Sequence, residues 1–254
     1  MNSATYLSGT QRPSFSTSIA PIWLAKVVCG KVEDKTLNLS PSVKLIPTYP
    51  LGFRPTVHKP KLILASTSKA RQALLTDAGI TFDSLPPLVN EKELRREMVS
   101  FPPQQIAVEL AKAKAISVSL VHPRAFVIGA DQILEFEHKP LHKAVSITEA
   151  QRKLKRLRGK AHHLYSSFAC ARKGQIIHSE VITATLTMRH FTDEFLTQYL
   201  EASGKDILST VGCYFFEGQG IQLFQEVEGD HSTILGLPLL PLLAFLRHSA
   251  IIAS

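Results

Sequence analysis

The stretch from Lys61 to Leu75, KLILASTSKARQALL, constrains this chain more than any other. A short apolar run stops at hydroxyl-bearing residues and passes at once into a helical pattern carrying Arg71. A buried strand, a loop of small polar residues and a helix start together make a receptor for a phosphate-bearing ligand, because free N–H groups and the helix dipole both attract anions. Arg71 adds a full positive charge. A unit of this kind belongs in a sheet covered by helices.

From Lys61 onward, strand and helix patterns alternate. LILA and TFDSL predict strands around a helix over Lys69 to Ala78, with Gly79 as its stop. Gln104 to Leu120 carries an apolar stripe at helical spacing, and the AFVIG run at 125–129 predicts a fully apolar strand that ends at Asp131. Thr148 to Leu157 predicts a basic amphipathic helix. The segments His163 to Ala171 and Gln175 to Arg189 predict a hairpin turning at Lys173 and Gly174, and Thr192 to Ala202 a further helix. YFFEGQGIQLFQEVEGD predicts a glycine-punctuated strand pair, followed by an apolar helix with Pro238 and Pro241 near its start, where a missing N–H costs little. The fold class is α/β with a mixed sheet.

Composition narrows the classes. With 254 residues, 44% of them hydrophobic, the chain can bury a full core in one domain, and no apolar run approaches the length that crosses a bilayer. Cys29, Cys170 and Cys213 are odd in number, far apart and without a CxxC pair, which argues against a disulfide framework or a zinc site and fits a reducing cytoplasm. The net charge of +8 raises the question of nucleic acid. Residues 1–60 hold seven Lys/Arg against two acids, so only +3 belongs to the rest. That front segment is rich in Ser, Thr and Pro. It reads as a flexible extension, as an organelle presequence, or as a start assigned too far upstream with initiation near Val57. Residues 61–250 form the expected domain. The basic run Arg152, Lys153, Lys155, Arg156, Arg158 and Lys160 offers an RNA-binding reading, but such runs are usually solvated helix faces, and nucleic acid is disfavoured as a partner.

Candidate chemistry gathers at the ends of elements. Asp131 follows an apolar strand, where α/β sheets present ligand groups, and Glu91 lies in the polar VNEKE segment. Two such carboxylates in one cleft can hold a hard divalent cation, Mg²⁺ or Mn²⁺. Lys114 and Lys143 would complete a phosphate cradle with Arg71. Each residue also has a plain reading. Asp131 serves as a turn or cap residue, Lys114 and Lys143 as solvated charges, Ser66 and Ser68 as helix caps, and Gly218-Gln219-Gly220 as a tight turn. His162 and His163 read as surface strand residues.

The order of the motifs adds what the single residues lack. The series SxSxxR, E, LAxxKA, GADQ, HK, LRGKxH, EGxG, EGD and GLPL, from Lys61 to about Leu246, resembles the Maf family of nucleotide pyrophosphatases, also called septum formation inhibitor Maf proteins. The resemblance implies a two-lobed fold of the inosine triphosphate pyrophosphatase type, with a central mixed sheet flanked by helices. It implies hydrolysis of a nucleoside triphosphate to the monophosphate and pyrophosphate, with Asp131 and Glu91 as metal ligands, Asp131 also as base, and Lys114 and Lys143 as further catalytic groups. Ser66, Ser68 and Arg71 match the family's SxSPRR loop as substrate contacts, while Lys69 and Ala70 replace its Pro-Arg pair. Lys143 matches the lysine of GKP, although the chain reads His142-Lys143-Ala144; the nearby Lys139-Pro140 would require gaps on both sides. Gln132 and Glu217 place the chain in the branch resembling 7-methyl-GTP pyrophosphatases, not the dTTP and UTP branch. A catalytically idle, nucleotide-binding regulator of cell division and a dTTP/UTP-specific pyrophosphatase stay open, as does a homodimer.

Overall fold

The computed structural model describes residues 60–253; the expected extension lies outside the described residues except for Pro60. Strand β1 (Leu62–Ala65) is buried throughout, and its chain turns through Ser66 to Ser68 into helix α1 (Lys69–Asp77). Gly79, at φ +70°, ends that turn of chain where an L side chain would be strained. Strand β2 (Asp83–Leu85) pairs parallel to β1. Helix α2 (Glu91–Glu97), which begins in the polar VNEKE segment, precedes the long helix α3 (Pro103–Val121).

Strand β3 (Phe126–Phe136) is the axis of the molecule. It runs parallel to β1 through Phe126 to Gly129, turns through Glu137 and His138 into β4 (Lys139–Leu141), and pairs antiparallel with β5 (Ala161–Arg172) along its length. Helix α4 (Ile147–Leu157) intervenes before β5. A tight hairpin at Lys173 and Gly174, both at positive φ, leads into β6 (Gln175–Met188), then α5 (Asp193–Ser203), a 3₁₀ turn at Gly204–Ser209 and another at Gln219–Leu223. Strand β7 (Phe224–Glu228) closes the sheet order β2-β1-β3-β5-β6-β7. Two helices follow, α6 (His231–Ile234) and α7 (Leu239–His248).

Two apolar centres lie along the long strands. One joins β1 and the first half of β3 to Leu75 of α1 and to Leu242 and Leu246 of α7; the other joins Leu134 and Phe136 of β3 to α4, α5, Leu186 and Met188. This is the mixed sheet flanked by helices that the motif order implies.

Three expectations change. Strand β3 does not end at Asp131, because β5 continues to pair with it as far as Glu135; the apolar run stops at a ligand position inside the strand. The segment from Tyr214 to Asp230 holds one strand, since its first half, Phe216 to Leu223, is a turn and a 3₁₀ helix around Gly218 and Gly220. A Cβ at Gly220 would come within 2.5 Å of the Phe215 carbonyl, so the chain is folded back on itself too closely for a strand. His162 is not a surface residue. It is 1% exposed, and its Nε2 lies 2.8 Å from the Tyr214 hydroxyl inside the second apolar centre. His163 is half-buried and meets the Thr185 hydroxyl.

Candidate active site

The register of β3 creates the site. On the edge away from β5, β1 pairs only as far as Gly129 and β4 begins only at Leu134, so among the described residues no strand pairs with Ala130 to Ile133 on that side. The interruption exposes backbone groups to side chains. The Arg71 guanidinium fills part of it, its NH1 donating to the Ala130 carbonyl at 2.9 Å and its Nε to the Gly236 carbonyl at 2.8 Å. Gly236 sits at φ +95°, and a Cβ there would lie 3.4 Å from that guanidinium. Arg71 reaches the spot because Ser68 caps α1, its Oγ accepting the Arg71 N–H at 3.5 Å. Buried Ser66 accepts from the Ser68 N–H at 3.2 Å and stands 3.5 Å from Arg71 NH1.

Alternation along β3 sends Asp131 and Gln132 to opposite faces. On the Asp131 face, Gly129 lets α3 approach so closely that an added Cβ would meet the Ala111 carbonyl at 2.3 Å and the Ala115 nitrogen at 2.5 Å. That approach seats Lys114 on Asp131. Both are buried, with Lys114 Nζ 2.7 Å from Asp131 Oδ1, and the same ammonium lies 3.0 Å from Glu91 Oε1. Glu91 arrives on the first turn of α2, which Asn90 caps by accepting the Glu93 N–H at 3.3 Å and which Leu94 and Met98 bury against the core.

One turn along α2, Arg95 completes the group. Its NH2 lies 3.2 Å from Asp131 Oδ2 and 3.9 Å from Glu91 Oε2. Residue-by-residue reading passed over Arg95 because α2 is short and highly charged. The signals were Asn90 and Glu93 at capping-box spacing and Glu91 and Arg95 four apart.

Lys143 comes from the loop between β4 and α4. Burial pulls its pKa below the ordinary lysine value; Glu91 opposes this, Arg71 and Lys114 add to it, and Asp131 opposes it. Lys143 is exposed and lies within electrostatic range of these four groups, and among the described residues no hydrogen bond or ion pair ties it to any of them. Lys139, by contrast, acts on Glu137 at the hairpin tip. Burial also lowers the pKa of Arg71, against the pull of Asp131 and Glu91. Lys114 and Arg95 therefore contact the two carboxylates, and Arg71 and Lys143 lie within electrostatic range of them.

On the other face, Gln132 is tied down. Its Nε2 donates to the Ser166 hydroxyl at 2.9 Å and to the carbonyls of Ile234 and Thr233 at 3.0 and 3.2 Å. Asp230 caps α6 through the Thr233 N–H at 2.9 Å and so fixes the carbonyls that Gln132 reads. Glu217 is exposed on the turn before the second 3₁₀ helix, where its charge bears on Tyr199; among the described residues no hydrogen bond or ion pair joins it to the Asp131 group.

The basic run on α4 and the loop after it is largely engaged. Lys155 and Arg158 pair with Asp193, Arg156 and Lys160 with Glu137, and Lys153 is buried with its ammonium donating to the His142 and Val211 carbonyls. That leaves little of it free for a nucleic-acid backbone. Cys170 and Cys213 are both free and buried. Among the described residues no helix is long and apolar enough to cross a membrane.

A mixed sheet interrupted at one edge, with cations converging on two acids there, defines an α/β protein built to receive a polyanion. The chain belongs to the family described as Maf-like protein, whose model matches residues 61–249. It is 46% identical over 186 residues to the nucleoside triphosphate pyrophosphatase of Rhodopseudomonas palustris (strain BisB5), a match covering 73% of this chain and 92% of that protein. It is 44% identical over 194 residues to the protein of the same name in Granulibacter bethesdensis, covering 75% and 98%. The 7-methyl-GTP pyrophosphatase of Rhizobium etli is 43% identical over 190 residues, covering 74% and 96%.

Proposed function

We propose that the chain hydrolyses nucleoside triphosphates to the monophosphate and pyrophosphate, with 7-methyl-GTP or similarly modified nucleotides as preferred substrates. The observation that carries the reading is the buried Lys114 ammonium shared by Asp131 and Glu91, with Arg95 on the other oxygens of the same acids and Arg71 and Lys143 within electrostatic range. Such preorganised charge stabilises a transferring phosphoryl group without reorganisation at the moment of reaction.

The donor set fits a divalent cation. Glu91 and Asp131 supply hard oxygens that meet on one ammonium, and among the described residues no group of three or more His, Cys, Asp or Glu forms a protein cage. Two carboxylates with the remaining positions left to phosphate oxygens and water is how Mg²⁺, and Mn²⁺ like it, is held at phosphoryl-transfer sites. When bound, such an ion withdraws charge from the α-phosphoryl group and acidifies a water. Asp131 accepts the proton of the attacking water, whose oxygen bonds to the α-phosphorus as the bond to the bridging oxygen breaks. Arg71, Lys114 and Lys143 neutralise the departing pyrophosphate, with Ser66 and the α1 N-terminus beside Arg71.

Base preference rests on a narrower footing. Similarity to the Rhizobium etli protein, and an exposed Glu217 carboxylate able to meet a cationic methylated ring, both support 7-methyl-GTP. Gln132 contributes by fixing the α6 carbonyls next to Gly236, whose own carbonyl accepts from Arg71. The test is turnover of 7-methyl-GTP, GTP, UTP and dTTP with Mg²⁺ or Mn²⁺ and identification of the products. Pyrophosphate release with 7-methyl-GTP ahead is expected. A clear lead for UTP or dTTP overturns the base preference, and absence of pyrophosphate from every nucleotide overturns the enzymatic reading in favour of an idle binder.

A further inference from the structure

Resting on that reading, we infer that Arg95 is a positioning residue which keeps free metal off the carboxylate pair and yields its place when a nucleotide brings the metal in. The four carboxylate oxygens are divided between two cations. Asp131 Oδ1 and Glu91 Oε1 face Lys114 at 2.7 and 3.0 Å, while Asp131 Oδ2 and Glu91 Oε2 face Arg95 at 3.2 and 3.9 Å. A divalent ion that uses both acids must displace one of these partners, and the two are not equally movable. Lys114 is buried in the middle of the nineteen-residue helix α3. Arg95 stands on a seven-residue helix with its side chain 27% exposed.

Arg71 cannot take this role, because two of its N–H groups are committed to backbone carbonyls. The side-chain partners of Arg95 among the described residues are the two carboxylates alone. An isolated hydrated ion offers a displaced guanidinium nothing and repels it. A metal carried on a triphosphate offers it phosphate oxygens, to which arginine binds in a bidentate manner. Metal and nucleotide therefore favour each other's binding, and Arg95 is the element through which they are coupled.

The experiment titrates the full chain with Mn²⁺, reading free ion by electron paramagnetic resonance, with and without an α,β-methylene nucleoside triphosphate. In the wild type, Mn²⁺ alone binds weakly and the analogue tightens it. In Arg95→Gln, Mn²⁺ alone binds more tightly by roughly tenfold, within the usual range of coupling between linked sites, and the analogue adds less. Arg95→Lys retains the charge and restores weak binding of Mn²⁺ alone, an effect that a purely structural role for Arg95 does not produce. Equal affinity of the wild type and Arg95→Gln for Mn²⁺ alone overturns the inference, as does undiminished tightening by the analogue in the variant. Should Arg95→Gln lose its circular dichroism signature of folding, Arg95→Lys and Arg95→Met carry the same comparison. Pyrophosphate release by the wild type is scored separately, so that loss of the enzymatic reading and loss of the Arg95 role are distinguishable.

Discussion

At the level of single residues, the site turns on Asp131, a buried carboxylate held between two cations. Asp131 is 4% exposed and holds two cations, so its charge is balanced inside the protein and not by solvent. Replacing it with asparagine preserves shape and one hydrogen-bond acceptor but removes the proton acceptor. Asp131→Asn is expected to lower kcat by roughly 10²–10⁴-fold, measured as pyrophosphate release, with little change in far-ultraviolet circular dichroism. Lys143 yields a pH prediction. Its pKa lies below the ordinary 10.5, so as pH rises its charge is lost earlier than that of a free lysine, and kcat/KM should fall on the alkaline side as it does so. Arginine holds its proton to far higher pH, so in Lys143→Arg that alkaline limb should move upward. Coincident limbs in the two proteins would exclude Lys143 as the group responsible.

At the level of elements, the contact between α3 and β3 aims Lys114. Any side chain at Gly129 must push α3 away, because its Cβ would collide with helix backbone and not with a movable side-chain tip. Gly129→Ala is expected to destabilise the protein by about 1–3 kcal/mol in urea unfolding. It should also reduce activity in the folded fraction, since Lys114 would retreat from Asp131. The local patterns that were legible in the sequence belong to elements with their own signals: β1 and α1 with their cap, α3 with its stripe, and the β5–β6 hairpin with its Lys173-Gly174 turn. The length of β3 was not legible, because its continuation past Asp131 depends on pairing with β5 residues distant in sequence, from Gln132 with Ser166 to Glu135 with His163. Helix α2 was missed because only Leu94 and Met98 anchor it. The meeting of Glu91, Lys114 and Asp131 follows from tertiary packing, and only the motif order points to it; neither the motifs nor the single residues point to Arg95.

At the scale of the whole molecule, burial links stability to acidity. Burial pulls the pKa of His162 from 6.5 down to about 3, so between those values the unfolded chain takes up a proton that the folded one refuses. Stability therefore falls as pH drops through this window, by up to about 1.4 kcal/mol per pH unit from this group. His162→Gln, which can still meet the Tyr214 hydroxyl, should show a shallower decline between about pH 6.5 and 5, read from urea midpoints at successive pH values. Finally, the place where β3 lacks a neighbour has a consequence beyond catalysis. A free strand border ordinarily invites association with foreign chains and, in time, insoluble deposits. Here the vacancy is bracketed by β1 on one side and β4 on the other, too short a berth for an intruding strand. The protein thus exposes backbone for its chemistry at an inland position, while β2 and β7 are the outer margins of the sheet among the described residues.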